Sequence, residues 1–391
     1  MTAVSGPLTG VRVIEMAGIG PAPFAAMSLA DMGADVVRVD RPTPAEMKTA
    51  PPEQDVLNRG KRSVMLDLKH PEALAALLRL VETADVLIEG YRPGVMERLG
   101  LGPGVALQRN PRLVFARMTG WGQDGPLAKT AGHEVNYLAV TGVLGALGAQ
   151  GGPPQVPLPL IGDYGAGGAY TVIGVLAALW ESGRTGHGQV VDIAMVDGTS
   201  HLLAATYSML GAGVWNDERG TNMLDGGSPF YAVYETSDGL WMSVGALERK
   251  FFATLLHDLG IDPDVYDPRD QHDESQWGRL RDLLASKFRT RTREDWAQHF
   301  ALSDACVSPV MSLREGASHP HLASRRSVLT DGRLMQPGKA PRFAATAGTL
   351  PGPSPVPGQH TLEVLTEAGL PAEDLVARGA ATTAEGEGNS D

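Results

Sequence analysis

The sequence predicts an α/β chain, with a large domain on a mainly parallel sheet and a smaller α+β domain after it. Three observations support this. Short β-branched runs alternate with helical segments as far as residue 118, the pattern of a parallel sheet with crossover helices. Composition changes near residue 217, where a polar, glycine-rich stretch precedes a hairpin signal. The 391 residues are also more than one core normally holds.

Residues 11–16 (V-R-V-I-E-M) and 34–40 (A-D-V-V-R-V-D) read as strands with a helix over 24–32 between them. This is a βαβ unit with a right-handed crossover, and it makes the large domain Rossmann-like. Its first turn, Gly18-Ile-Gly20-Pro-Ala-Pro23, approaches a dinucleotide fingerprint with Asp40 near the ribose distance. Pro23 replaces the third glycine, which argues against NAD. Further strands are expected over 63–68, 85–89, 113–118 and 190–194, with helices over 71–82 and from about 95 to 99. Arg41, Lys61, Arg62 and Arg92 fall at or beside strand ends, where open α/β sheets bind ligands, so a polyanionic ligand is expected there. The ordinary alternative for Asn58-Arg-Gly-Lys-Arg62 is a solvated turn.

Asp163 stands in Pro159-Leu-Ile-Gly-Asp-Tyr-Gly-Ala-Gly-Gly-Ala-Tyr170, before an apolar helix over 169–180. It reads as an N-cap, with Gly165, Gly167 and Gly168 leaving the backbone open to a ligand. The helix-start N–H groups could equally meet an oxyanion. His133, after a glycine, reads as a loop residue or a catalyst. A helix is expected over 197–214, and a hairpin over 231–244 turns at Ser237-Asp238-Gly239. Helices over 249–259, 274–288 and 293–301 follow, and a last one spans 361–369. The expected division is 1–200 (large domain), 201–224 (linker), 225–311 (small domain), 312–357 (returning linker), 358–381 (C-terminal part of the large domain) and 382–391 (disordered tail).

The formal net charge of −12 argues against nucleic acid as a partner. The single cysteine, Cys306, excludes an internal disulfide, fits a reducing cytosol and reads as a buried strand entry. No leader-like start is visible, and the apolar run over 170–180 is short for a membrane span. A soluble cytoplasmic protein is expected.

These residues carry a resemblance. The chain resembles the α-methylacyl-CoA racemases of the class III CoA-transferase family. The likeness is most specific at residues 34–42, L-I-E-G-Y-R-P-G-V-M-E-R-L-G-L-G-P (87–103), R-M-T-G-W-G-Q-D-G-P (117–126) and A-G-H-E-V-N-Y (131–137). G-D-Y-G-A-G-G (162–168), N-M-L-D-G-G-S-P-F-Y (222–231) and V-G-A-L-E (244–248) add to it. The resemblance implies the class III CoA-transferase fold and an interlocked homodimer. It makes His133 and Asp163 the two bases facing the α-carbon of an acyl-CoA, with Glu248 orienting the histidine from the other subunit. Coenzyme A contacts carry over to Arg41, Leu66, Asp67, Leu68, Lys69, Arg92, Ala131, Gly132, Glu134, Val135 and Asn136. Glu134 stands where the family usually has Asp, Pro159 where it has Asn, and Arg249-Lys250 where Pro-Gln is common.

The chemistry fits these residue types. Epimerisation needs a base on each face of a weak carbon acid, one accepting while the other donates. Coenzyme A is part of the substrate, so no cofactor is expected, and no metal-ligand spacing is present. Two alternatives stand beside it: a CoA transferase with Asp163 as nucleophile, and a non-catalytic acyl-CoA-binding protein.

Overall fold

A computed structural model describes residues 5–42, 51–332 and 334–384. The chain forms two compact units, residues 1–141, 157–202 and 326–391 in one and 142–156 with 203–325 in the other.

The first unit is built on a seven-stranded sheet. Its parallel strands are β1 (Arg12–Met16), β2 (Asp35–Asp40), β3 (Arg62–Leu66), β4 (Val86–Glu89), β5 (Val114–Thr119) and β6 (Val190–Ala194). Beyond β3 lies an antiparallel edge strand, Ala381–Thr382, giving the spatial order edge, β3, β2, β1, β4, β5, β6. Near-continuous apolar strands are what a sheet covered on both faces requires. Successive side chains alternate faces. Ile14, Val37, Leu87 and Phe115 meet the helices Pro71–Val81 and Thr361–Glu367 in one core, while Val13, Val36, Val86 and Val114 join Leu29 and Val175 in the other.

Several expectations are corrected here. The helix after Pro159 runs continuously from Leu160 to Thr185, with i→i+5 bonding over Leu160–Ala169 and α geometry from Tyr170. Its 26 residues include an 18-residue window of mean hydropathy 1.2, the length and apolar character of a membrane span, which the shorter expected run lacked. Val175 and Ala178 instead pack in the second core. The C-terminal segment adds a helix, Ala372–Ala377, and the edge strand. Thr382, expected in a disordered tail, is therefore paired, and residues 385–391 of that tail lie outside the described residues. A hairpin, Val328–Asp331 with Leu334–Pro337, occupies part of the expected linker 312–357. Arg59 secures it, donating to Pro337 O at 2.7 Å and pairing with buried Asp31.

The second unit contains an antiparallel sheet of Tyr231–Glu235, Trp241–Gly245 and Val307–Pro309. The helices Arg249–Asp258, Trp277–Phe288 and Arg293–Phe300 pack on an aromatic core of Phe230, Tyr234, Phe252, Phe288, Trp296 and Phe300. Residues 142–156, expected in the first domain, group here because Arg219 donates to Gly145 O and Gly152 O. The expected 197–214 helix is two, Met195–Leu202 and Ala204–Gly211. The end of the stretch read as a linker over 201–224 is a bonded loop: Asp225 accepts the N–H groups of Gly220, Asn222 and Gly227. Cys306 is exposed, not buried, and has φ +54°.

In the first unit Lys61 is fully buried against Glu15 on β1, 2.6 Å away, and also donates to Asn58 Oδ1 and Pro23 O. Removing one partner of such a pair strands a buried charge. Lys61→Met is expected to lower stability by about 3–5 kcal/mol. Adding Glu15→Gln should recover most of that loss, as read from urea midpoints at constant slope.

Candidate active site

All five parallel strands from β1 to β5 end on the same side. The chain crosses from β1 to β2 on one flank and returns to β4 on the other, which opens a crevice at their carboxyl ends. Two loops line it, residues 17–20 after β1, which lead into helix Pro21–Asp31, and 90–94 after β4. Tyr91 Oη ties them, donating to Ala17 O at 3.3 Å.

Asp163 meets the first loop. Gly20 has φ +71°, and a Cβ there would stand 3.3 Å from Asp163 Oδ2. A side chain at 20 would thus be strained and pressed on the carboxylate. Asp163 is not the expected N-cap, because Pro159 holds that position and Asp163 lies within the first turn. The glycines after it serve packing rather than ligand approach. A Cβ on Gly167 would lie 2.7 Å from Pro21 Cβ, and one on Gly168 2.5 Å from Phe24 Cδ1. The wide i→i+5 turn is itself a geometry found mostly at functional sites.

The first-turn N–H groups are not free for an oxyanion either. Glu134 Oε1 accepts the Gly162 N–H at 2.6 Å, and the N–H groups of Ile161 and Asp163 also act on that carboxylate. A negative side chain already satisfies the helix start.

His133 is the N-cap of helix Glu134–Val140, with an extended backbone and an exposed side chain. Its N–H donates to Asn136 Oδ1 at 3.0 Å. Tyr137 Oη donates to Gly132 O at 2.5 Å, and its ring packs edge-on to Trp121. The loop is locked by its own side chains, so Asn136, expected among the ligand contacts, spends its carbonyl oxygen on the His133 backbone. Ala131 and Val135 are exposed and Gly132 is half-buried.

Burial pushes the Asp163 carboxyl above the usual aspartate range, and the nearby His133 charge opposes that. Burial and the Asp163 charge push the Tyr137 hydroxyl up, with Arg92 opposing. His133, Asp163, Tyr137 and Arg92 therefore share one electrostatic neighbourhood. Burial also raises the Glu134 carboxyl, against the Gly162 hydrogen bond.

Beside Arg92 is a cavity of about 350 Å³, lined by Arg92, Pro93, Gly94, Arg98 and Lys129. Arg98 and Lys129 are absent from the sequence reading. The signal for Arg98 is its place one helical turn on from Gly94, in helix Val95–Arg98. Arg117 on β5 fixes that segment, reaching Glu89 at 2.9 Å and Glu97 at 2.8 Å.

The remaining expected contacts divide. Arg41 is exposed at the end of β2 and close enough to act on the Tyr91 hydroxyl. Asp67 accepts the N–H of exposed Lys69 at the turn after β3, and Leu68 packs on the core. Leu66 is fully buried in that core, so its side chain packs and cannot touch a ligand. Lys61 is held by Glu15, and Arg62 is held by Asp35, Glu363 and Glu367, so neither serves an anion. Asp40 accepts from Ser63 at 2.7 Å and pairs with Arg38, which removes the ribose partner an NAD site needs.

In the second unit Glu248 is the exposed N-cap of helix Arg249–Asp258 and makes no side-chain capping bond. Its charge helps raise the Cys306 thiol, after burial. Among the described residues, no group of three or more His, Cys, Asp or Glu side chains is placed to hold a metal ion.

Comparison with known proteins places this geometry. The family model described as CoA-transferase family III matches residues 8–361. The chain is 43% identical over 374 residues to a mouse protein named alpha-methylacyl-CoA racemase, covering 94% of this chain and 95% of that one. It is 42% identical over 375 residues to the human protein of the same name, with the same coverage. Among solved structures, a CAIB/BAIF family protein from Brucella suis aligns with TM-score 0.81 at 26% identity, over 93% of this chain and 100% of that one. The chain belongs to CoA-transferase family III.

Proposed function

We propose that the protein is a racemase that interconverts (R)- and (S)-2-methylacyl-CoA thioesters by two-base proton transfer. The observation that carries this reading is the joining of the two segments that bear His133 and Asp163, where Glu134 accepts the Gly162 N–H, with Asp163 against Gly20 at the β1–β4 crevice. The names of the mouse and human relatives point the same way.

The cavity beside the pair suits the other end of the substrate. Arg92, Arg98 and Lys129 offer three cations for phosphate oxygens, and guanidinium groups match them in pairs. Arg41, Asp67 and Lys69 follow β2 and β3 at the same strand ends and, with Ala131, Gly132 and Val135, complete the proposed coenzyme A site. In one direction neutral His133 takes the α-proton of the S epimer while protonated Asp163 returns one to the opposite face. In the other, ionised Asp163 takes the proton of the R epimer and the imidazolium returns one. Oxidation state is unchanged throughout, so the step calls for no redox group. Glu248 orients His133 from a second copy in an interlocked dimer. Large apolar side chains left exposed on the first unit, including Leu160, Ile173 and Trp180, suit coverage by such a copy. A reduced, exposed Cys306 suits a cytoplasmic location.

The transferase reading uses Asp163 as a nucleophile and gives His133 no task. Incubation of each 2-methylacyl-CoA epimer in D2O is expected to give α-deuterium and loss of optical purity. Acyl exchange with a free acid and no α-deuterium would overturn the racemase reading. His133→Ala should lower epimerisation roughly 100- to 10,000-fold while binding changes little, as read by kinetics and calorimetry.

The raised Asp163 carboxyl has a consequence for pH. The R-epimer direction needs it ionised, so that rate rises with pH through the shifted value. Its acid limb should lie above the ordinary aspartate value of about 3.9, and Asp163→Asn should abolish the activity.

Subunit exchange tests the dimer. Mixed dimers of His133→Ala and Glu248→Gln chains hold one intact site if Glu248 acts across the interface. Activity should reappear on mixing, whereas action within one chain leaves both sites broken.

A further inference from the structure

Glu134 joins the two segments bearing the proposed bases. It follows His133 directly, and its carboxylate accepts the N–H of Gly162, which directly precedes Asp163. The bond is 2.6 Å long and half-buried, and the N–H groups of Ile161 and Asp163 flank it. Position 162 is shaped for it: a Cβ on Gly162 would stand 2.7 Å from Glu134 Cγ and 3.1 Å from Oε1. Any other residue there pushes the carboxylate away. Gly20 leaves room for the Asp163 carboxylate, since a Cβ there would stand 3.3 Å from Oδ2. His133 is fixed through its own N–H to Asn136.

We propose that Glu134 is a positioning residue, a strut that sets the separation of His133 and Asp163 rather than a contact to coenzyme A. This rests on the two-base reading above. A proton relay between two faces of one carbon tolerates little drift, since displacement by about 1 Å can cost on the order of 100-fold in rate. The Gly162 bond is charge-assisted and lies out of full solvent, so it is among the stronger bonds available for the purpose. It also satisfies an N–H that the helix start would otherwise leave open.

The test uses the full-length protein with Glu134→Leu, which keeps the bulk and removes both acceptors, and Glu134→Gln, which keeps one acceptor oxygen. Two readouts are taken: amide hydrogen exchange of the 160–169 segment without ligand, and steady-state α-proton exchange from each epimer. Glu134→Leu is expected to speed amide exchange locally and lower kcat on the order of 100-fold with KM little changed. Exchange from the R epimer should fall most, because Asp163 alone takes that proton. Glu134→Gln should restore the protection and most of kcat. Should Glu134→Leu fail to fold, Gly162→Ala displaces the same carboxylate from the opposite side and should give the same pair of effects.

Unchanged amide exchange in Glu134→Leu would overturn the strut, and so would a raised KM at unchanged kcat, which marks a substrate contact. If the unaltered protein shows no α-deuterium exchange, the two-base reading fails on its own. The amide readout then still decides whether Glu134 holds the 160–169 segment.

Discussion

Strand β1 pairs in parallel with β2 on one side and β4 on the other, and the placement of every proposed catalytic feature in the first unit follows from that. Parallel strands need crossover helices, and those helices bury both faces of the sheet. Chemistry is left with the edges, and the helix direction makes the carboxyl edge the useful one. The β1 pairing splits the crossovers to opposite flanks and leaves the loops at 17–20 and 90–94 facing each other. Tyr91 closes the gap between them, Gly20 admits Asp163, and Arg92 sits at the rim.

Close approach, rather than loop freedom, explains the glycines. Gly162, Gly167 and Gly168 lie inside a helix, where glycine costs helix stability of about 1 kcal/mol each relative to alanine. Each stands where a Cβ would collide, with Glu134, Pro21 or Phe24. Packing offsets the propensity loss, and the backbone widens to i→i+5 over the same stretch. The buried ion pairs follow a similar logic. Lys61 with Glu15, and Arg117 with Glu89, contribute little net stability but hold the segments beside the site.

Much of the fold was legible because its signals are local. Short β-branched runs in V-R-V-I-E-M and A-D-V-V-R-V-D marked β1 and β2, and Asp238-Gly239 marked the hairpin. The unread parts depend on distant partners. The edge strand Ala381–Thr382 is two residues long and exists only because β3 offers an open edge. Whether a cation is available could not be read from position alone: Lys61 and Arg62 lie in a run that looks solvated, yet Glu15 and Asp35 claim them. One missed element did have a sequence signal. Ser312-Leu-Arg-Glu315 is a capping box, and Ser312 and Glu315 cap each other's N–H groups at the start of helix Leu313–Ser318. Its Pro- and Ser-rich neighbours masked it. Asp163 was misread for a related reason, because the sequence shows an acid before glycines and hides the glutamate that already caps the turn.

That misreading bears on whether Asp163 is a base or a nucleophile. A capping carboxylate would be held ionised by the N–H groups it accepts, which suits attack on a thioester. Glu134 takes those N–H groups instead, and burial lifts the Asp163 carboxyl above the usual aspartate range. The proposed relay alternates between neutral His133 with protonated Asp163 and imidazolium with carboxylate, and a reaction that runs in both directions needs both arrangements. The substitution of a carboxylate cap from a neighbouring loop for a self-cap thus does two things at once: it satisfies the helix start and leaves Asp163 free to carry a proton.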